Sequence, residues 1–189
     1  HPFAVRPVIQ VFALTGTFEQ AVRQLYGSPV PVARSLGAAG GAMDRPSGTI
    51  VINWQRLAGD RPITIIRHEL SHLVLAHKIG IEEYRRGGQA LPLWLVEGFA
   101  EWAAGGAQNV CRSPQEIQAL FRGGLLDYDS LQSAMEMTAV GKDPDLNHKA
   151  YVESFFIVKH LIGREPDRER GLEAFVDLIR SLIRGGLTF

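Results

Sequence analysis

His68-Glu69-Leu70-Ser71-His72 sets two imidazoles four positions apart with a carboxylate between them. A helix advances about 100° per residue, so on a helix His68 and His72 lie about 40° apart and can both aim a ring nitrogen at one metal ion. Glu69 stands about 100° round from His68, turned away from the ligand pair but within reach of a water on that ion, as its general base. Ile66, Leu70, Leu73 and Val74 fall on the opposite side, at about 140° to 240°, and would anchor the helix in a core. The competing reading is a buried helix with two satisfied histidines. Six His and twelve Glu in 189 residues make this spacing a chance event in roughly one sequence of 100, so the metal reading leads.

A catalytic zinc takes three protein ligands and keeps a fourth position for water. The third ligand must come from another element facing the first helix. Trp94-Leu95-Val96-Glu97-Gly98-Phe99-Ala100-Glu101-Trp102 offers it, with 24 residues between His72 and Glu97. Glu97 and Glu101 again share one helix face, and Leu95, Phe99 and Trp102 lie behind them at about 140° to 200°. Two carboxylates on one face of an otherwise apolar helix repel each other and are costly to bury, and a cation beside them removes that penalty. A solvated acidic face is the plainer alternative, which the flanking Trp, Leu and Phe make uncomfortable. On this reading Glu97 binds the metal, and Glu101, one turn on, accepts the outer N–H of a ligand histidine.

The elements that must position these residues follow from periodicity and punctuation. The first part, residues 1–60, reads as β-rich: a strand over Pro7 to Leu14, a short helix over Thr17 to Tyr26, strand character from Val30 to Ala42, and a strand over Thr49 to Asn53 after the turn Arg45-Pro46-Ser47-Gly48. Helical periods govern residues 61–189. Helices are expected over Pro62 to Lys78, Leu91 to Ala104, from the Ser113-Pro114-Gln115-Glu116 cap to Phe121, over Asp145 to Ile162 and over Asp167 to Arg184, with a mobile loop over Tyr84 to Ala90. Strands first and helices after predict an α+β domain.

Composition sets outer bounds. Twenty Lys and Arg against twenty Asp and Glu give a net charge of zero, which argues against a nucleic-acid partner. The single Cys111 excludes an intramolecular disulfide framework. No apolar run is long enough to span a bilayer.

HELSH followed by WLVEGFAEW resembles the gluzincin metallopeptidases, in particular the peptidase MA-like metallohydrolases of bacteria. The resemblance covers roughly residues 40 to 163 and is strongest from Thr64 to Trp102, the stretch that carries both motifs. It implies a single zincin-like domain over residues 1–189, one Zn²⁺ ion held by His68, His72 and Glu97, Glu69 as general base, Glu101 behind a ligand histidine, and a peptide or protein substrate. VEGFA is similar to the NEGFA segment of the aminopeptidase N-like enzymes, although Val96 stands where those have Asn. The segment AYVESFFIVKHLI resembles the family's C-terminal helix, which makes Tyr151 a candidate donor to the tetrahedral oxyanion; His148, nearly one turn earlier, is the alternative. The Gly40 to Met43 segment, with the following strand Thr49 to Asn53, is the matching candidate for an edge that pairs with substrate, and an ordinary Gly-rich hairpin is the other reading. The resemblance also implies an exported or envelope-attached protein, with no signal or anchor in this sequence. A zincin-fold protein that binds zinc and a partner with little or no hydrolysis is the alternative function, and a helical interaction domain with a coincidental HExxH is the third.

Overall fold

The structure, a computed structural model, describes residues 8–26, 41–44, 49–56, 61–88, 91–106, 113–136 and 143–185. Most of the expected strand from Val30, the turn at 45–48 and Cys111 lie outside these residues. The described chain is α+β, a small mixed sheet followed by helices.

Three strands, β1 (Val8–Phe12), β2 (Gly41–Asp44) and β3 (Thr49–Asn53), form a sheet in the order β1-β3-β2. The central β3 runs parallel to β1 and antiparallel to β2, with Val11 opposite Ile52 and Gly41 opposite Ile52 on the other side. All five residues of β3 are buried, which is why its sequence, TIVIN, is a continuous apolar run rather than a clean alternation. Helix α1 (Thr15–Tyr26) covers one face, where Phe18, Ala21 and Val22 meet Ala42 and Val51. Ile50 and Ile52 point to the opposite face and meet Leu73, Ile65, Ile66 and Leu70 of helix α2 (Arg61–Ile79).

Helix α2 is therefore apolar on two sides. Its sheet-facing stripe holds Ile66, Leu70 and Leu73 of the expected set, with Ile65 beside them rather than Val74. Its second stripe, Leu75, Ala76 and Ile79, continues the line of His68 and His72 toward the C-terminus and enters the largest core. There it meets Leu95, Val96 and Phe99 of α4 (Leu93–Ala103), Val158 and Ile162 of α7 (Pro144–Ile162), and Phe175, Val176 and Ile179 of α8 (Arg168–Gly185). The histidine end of one helix face thus stays polar while its other end is locked in the core.

The loop expected over Tyr84 to Ala90 is overturned for its first half: α3 (Ile81–Gly87) runs through it. Tyr84 is 4% exposed and belongs to the main core; burial of that ring outweighs the turn preference of Gly87 and Gly88. Helix α5 (Pro114–Phe121) starts at the expected Ser113 cap, whose side chain accepts from the Glu116 N–H. A helix absent from the sequence reading, α6 (Tyr128–Met135), is capped by Asp127, which accepts from Ser130 N–H at 2.7 Å. Its Leu131, Ala134 and Met135 pack on Ala150 of α7. No helix among the described residues is long and apolar enough to cross a membrane.

Arg180 of α8 fastens the far end of α2, donating to the backbone carbonyls of Lys78 and Ile79. These are terminal carbonyls with no partner inside their own helix, and a cation there also opposes the negative end of the helix dipole. Arg180→Ala should therefore lower unfolding stability by about 1 kcal/mol. Chemical denaturation checks this, and an unchanged midpoint would show that the contact contributes nothing.

Candidate metal centre

Helices α2 and α4 pack against each other and bring the two motifs face to face. Pro92 ends the preceding segment in an extended conformation, and Leu95, Val96, Phe99 and Ala100 bury one side of α4. Glu97 and Glu101 are left on the side that looks at His68 and His72. His72 is 5% exposed and Glu69 8%; His68, Glu97 and Glu101 are half-buried.

The contacts are specific to atoms. Nε2 of His68 lies 3.1 Å from Oε2 of Glu97, and Nε2 of His72 lies 3.6 Å from Oε1 of the same carboxylate. Nδ1 of His68 lies 3.1 Å from Oε1 of Glu101. The two imidazole planes stand nearly perpendicular, at 79°, with centroids 5.0 Å apart. One ligand atom each from His68, His72 and Glu97 falls within 4.8 Å of the other two, so this group could hold a metal ion. The arrangement gives His68 two faces. One nitrogen turns to the ligand cluster and the other donates to Glu101, the hydrogen bond that orients a ligand imidazole and raises its basicity.

Glu69 sits on the sheet side of the cluster. A Cβ on Gly41 would lie 3.4 Å from Cγ of Glu69 and 2.7 Å from Cγ2 of Ile65, so β2 passes α2 at glycine distance. Among the described residues β2 is also the outermost strand of the sheet on that side. The expected edge at Gly40 to Met43 therefore runs beside Glu69 over its described part, Gly41 onward, whereas Thr49 to Asn53, expected with it, is the central strand and is paired on both sides.

Tyr151 reaches the site from α7. Its ring packs against the cluster of Leu131, Ala134, Met135 and Ala150. Burial first, then the charges of Glu97, Glu101 and Glu69, push its pKa well above the usual 10, so the phenol is a neutral donor at ordinary pH. His148 is half-buried, nearly one turn earlier on α7. Gly98, next to Glu97, has no role in the sequence reading, and in the structure a Cβ on it would meet the Ser154 backbone of α7. For Gly98 the available signal was a glycine inside a helix pattern, which costs about 1 kcal/mol against alanine and calls for a packing reason.

No family model matches the sequence, and neither a curated protein nor a solved structure matches it. The geometry therefore stands on its own residues.

The electrostatics of His68 lead to a measurable consequence. Burial opposes its charged form, but hydrogen bonds to Glu101 and Glu97, and the charges of Glu97 and Glu69, prevail and raise its pKa well above 6.5. Without metal His68 thus carries a proton at neutral pH, which a metal must displace. Metal affinity should fall as pH drops through the His68 pKa, and binding at pH 7 should release about one proton per ion. Calorimetry in buffers of different ionisation enthalpy measures this, and binding without proton release would contradict the assignment. Glu101→Gln should weaken metal binding about tenfold.

Proposed function

We propose that this chain is a zinc-dependent peptidase of the gluzincin type, with a zincin-like fold. The observation that carries the reading is the convergence of His68, His72 and Glu97 donor atoms within 4.8 Å, with a buried Glu69 between the two histidines in sequence. Two imidazoles and one carboxylate are a donor set that zinc accepts in catalytic sites, and three ligands leave a position open. Non-haem iron uses the same three ligand types. The acid at position 69 favours hydrolysis, because it supplies a base for a water at the same cluster.

His68, His72 and Glu97 would hold the ion, and Glu101 would keep the His68 ring in its ligating tautomer. Zinc bound there would supply a Lewis acid that activates water and polarises the scissile carbonyl. Glu69 takes the proton of the attacking water and passes it to the leaving amine. Its burial beside Gly41 limits its freedom. The neutral Tyr151 phenol, which feels the charges of Glu97, Glu101 and Glu69, is the donor proposed for the developing oxyanion. Substrate lies extended along β2, the outer strand next to Glu69 among the described residues, and main-chain pairing there gives affinity with little dependence on side chains.

Glu69→Gln keeps the shape of the side chain and removes its basicity. The variant should retain zinc and lose peptide cleavage by at least about 100-fold, the ordinary range for general-base removal. A diverse peptide library digested by wild type and variant, with products read by mass spectrometry, tests it. A variant as active as wild type would remove Glu69 from the reaction. A wild type that holds zinc and cleaves nothing would turn the reading to a zinc-bearing binding protein.

A further inference from the structure

Gly41 opens β2, where it lies opposite Ile52 of β3. Ala42 and Val51 face α1, so by the alternation of a strand Gly41 and Ile52 face α2. A Cβ on Gly41 would lie 2.7 Å from Cγ2 of Ile65, 3.3 Å from Cδ1 of Ile52 and 3.4 Å from Cγ of Glu69. The first of these is a clash, while the distance to Glu69 is close to an ordinary van der Waals contact. Ile65 is branched at Cβ, and a helix leaves such a side chain essentially one χ1 rotamer. Its Cγ2 is therefore not free to swing aside, and the side chain packs against the apolar cluster of Ile50, Ile52 and Leu73. Room for a methyl group at position 41 comes from moving α2 and β2 apart.

Ile65 and Glu69 are four residues apart and share one face of α2, so the turn between them rests on Gly41 as a unit. Glu69 adjoins His68, stands three residues before His72 in the same helix, and is 8% exposed. We propose that Gly41 is a positioning residue of the reaction: lacking a side chain, it lets the turn of α2 from Ile65 to Glu69 lie directly against β2, and so sets where the general base stands beside the two histidines. This role rests on the peptidase reading above, and it gives β2 a task separate from pairing with substrate. Bringing a new methyl to an ordinary carbon contact of about 3.5 Å from Ile65 needs a shift of roughly 0.8 Å. A misplacement of about 1 Å at a reacting group costs on the order of 100-fold in rate.

Steady-state kinetics on a cleaved peptide at saturating zinc, together with crystal structures of the zinc-loaded proteins, test this on wild type, Gly41→Ala, and Gly41→Ala joined to Ile65→Leu or to Ile65→Val. Leucine has no branch at Cβ and so lacks the methyl that clashes, whereas valine keeps it. Gly41→Ala should lower kcat by about 10- to 100-fold with KM within about twofold of wild type. Its Glu69 Cγ should stand roughly 0.5 Å or more from the wild-type place relative to the zinc. Adding Ile65→Leu should restore both kcat and that place; adding Ile65→Val should restore neither. If Gly41→Ala alone does not fold, the two combinations still differ at the branch on Cβ, and the same contrast is expected between them. Wild-type kcat in Gly41→Ala, a loss confined to KM, a loss of kcat with Glu69 unmoved, or equal kcat in the two combinations would each overturn the proposal. A wild type that holds zinc and cleaves no peptide would instead end the hydrolytic reading. The crystal structures then decide the role of Gly41 by themselves: a displaced Glu69 in Gly41→Ala upholds it, and an unmoved one overturns it.

Discussion

His68 is held between two carboxylates of a single helix, with Glu97 and Glu101 each 3.1 Å from one of its ring nitrogens. This is the interaction on which the rest of the site depends. The two acids lie one turn apart on α4, and the two ring nitrogens of His68 answer one each. His72 faces the Glu97 carboxylate as well, and Glu69 lies toward β2.

The constraint is electrostatic before it is chemical. Three carboxylates, Glu69, Glu97 and Glu101, gather beside two histidines in a region otherwise built from Leu, Phe and Trp. Charges taken from water need partners close at hand, and an unpaired one costs several kcal/mol. In the metal-free chain the His68 imidazolium answers that need, which is the cause of its raised pKa. A divalent cation held by His68, His72 and Glu97 would answer it more fully and free that proton. The zero net charge of the whole chain thus coexists with a local excess of acid at one place.

The apolar frame makes this concentration tolerable. Helix α2 is clamped on the sheet by Ile66, Leu70 and Leu73 and in the helical core by Leu75, Ala76 and Ile79. The polar stretch between these anchors cannot slide away from α4. The amphipathic stripes of α2 and α4, with the Ser113 cap, were legible in the sequence because each rests on a local period or cap. The second apolar stripe of α2 was not, since it shares its face with the histidines and shows only when α4 and α8 are in place. Helix α6 was missed although Asp127 and the Leu131, Ala134, Met135 spacing signalled it. The buried Tyr84 overturned the loop expected there, because its ring is worth more in the core than the nearby glycines are in a turn. The histidine and glutamate positions of the candidate site were legible as spacing, whereas the contact of Gly98 with Ser154 joins residues 56 apart and has no local signature.

Anomalous diffraction at the zinc absorption edge, from crystals of the wild-type chain grown with zinc, tests the central claim most directly. The account predicts one peak about 2.0–2.2 Å from a ring nitrogen of His68, a ring nitrogen of His72 and a carboxylate oxygen of Glu97, with Glu101 still on the other nitrogen of His68. A peak elsewhere, or none at this cluster, would contradict it.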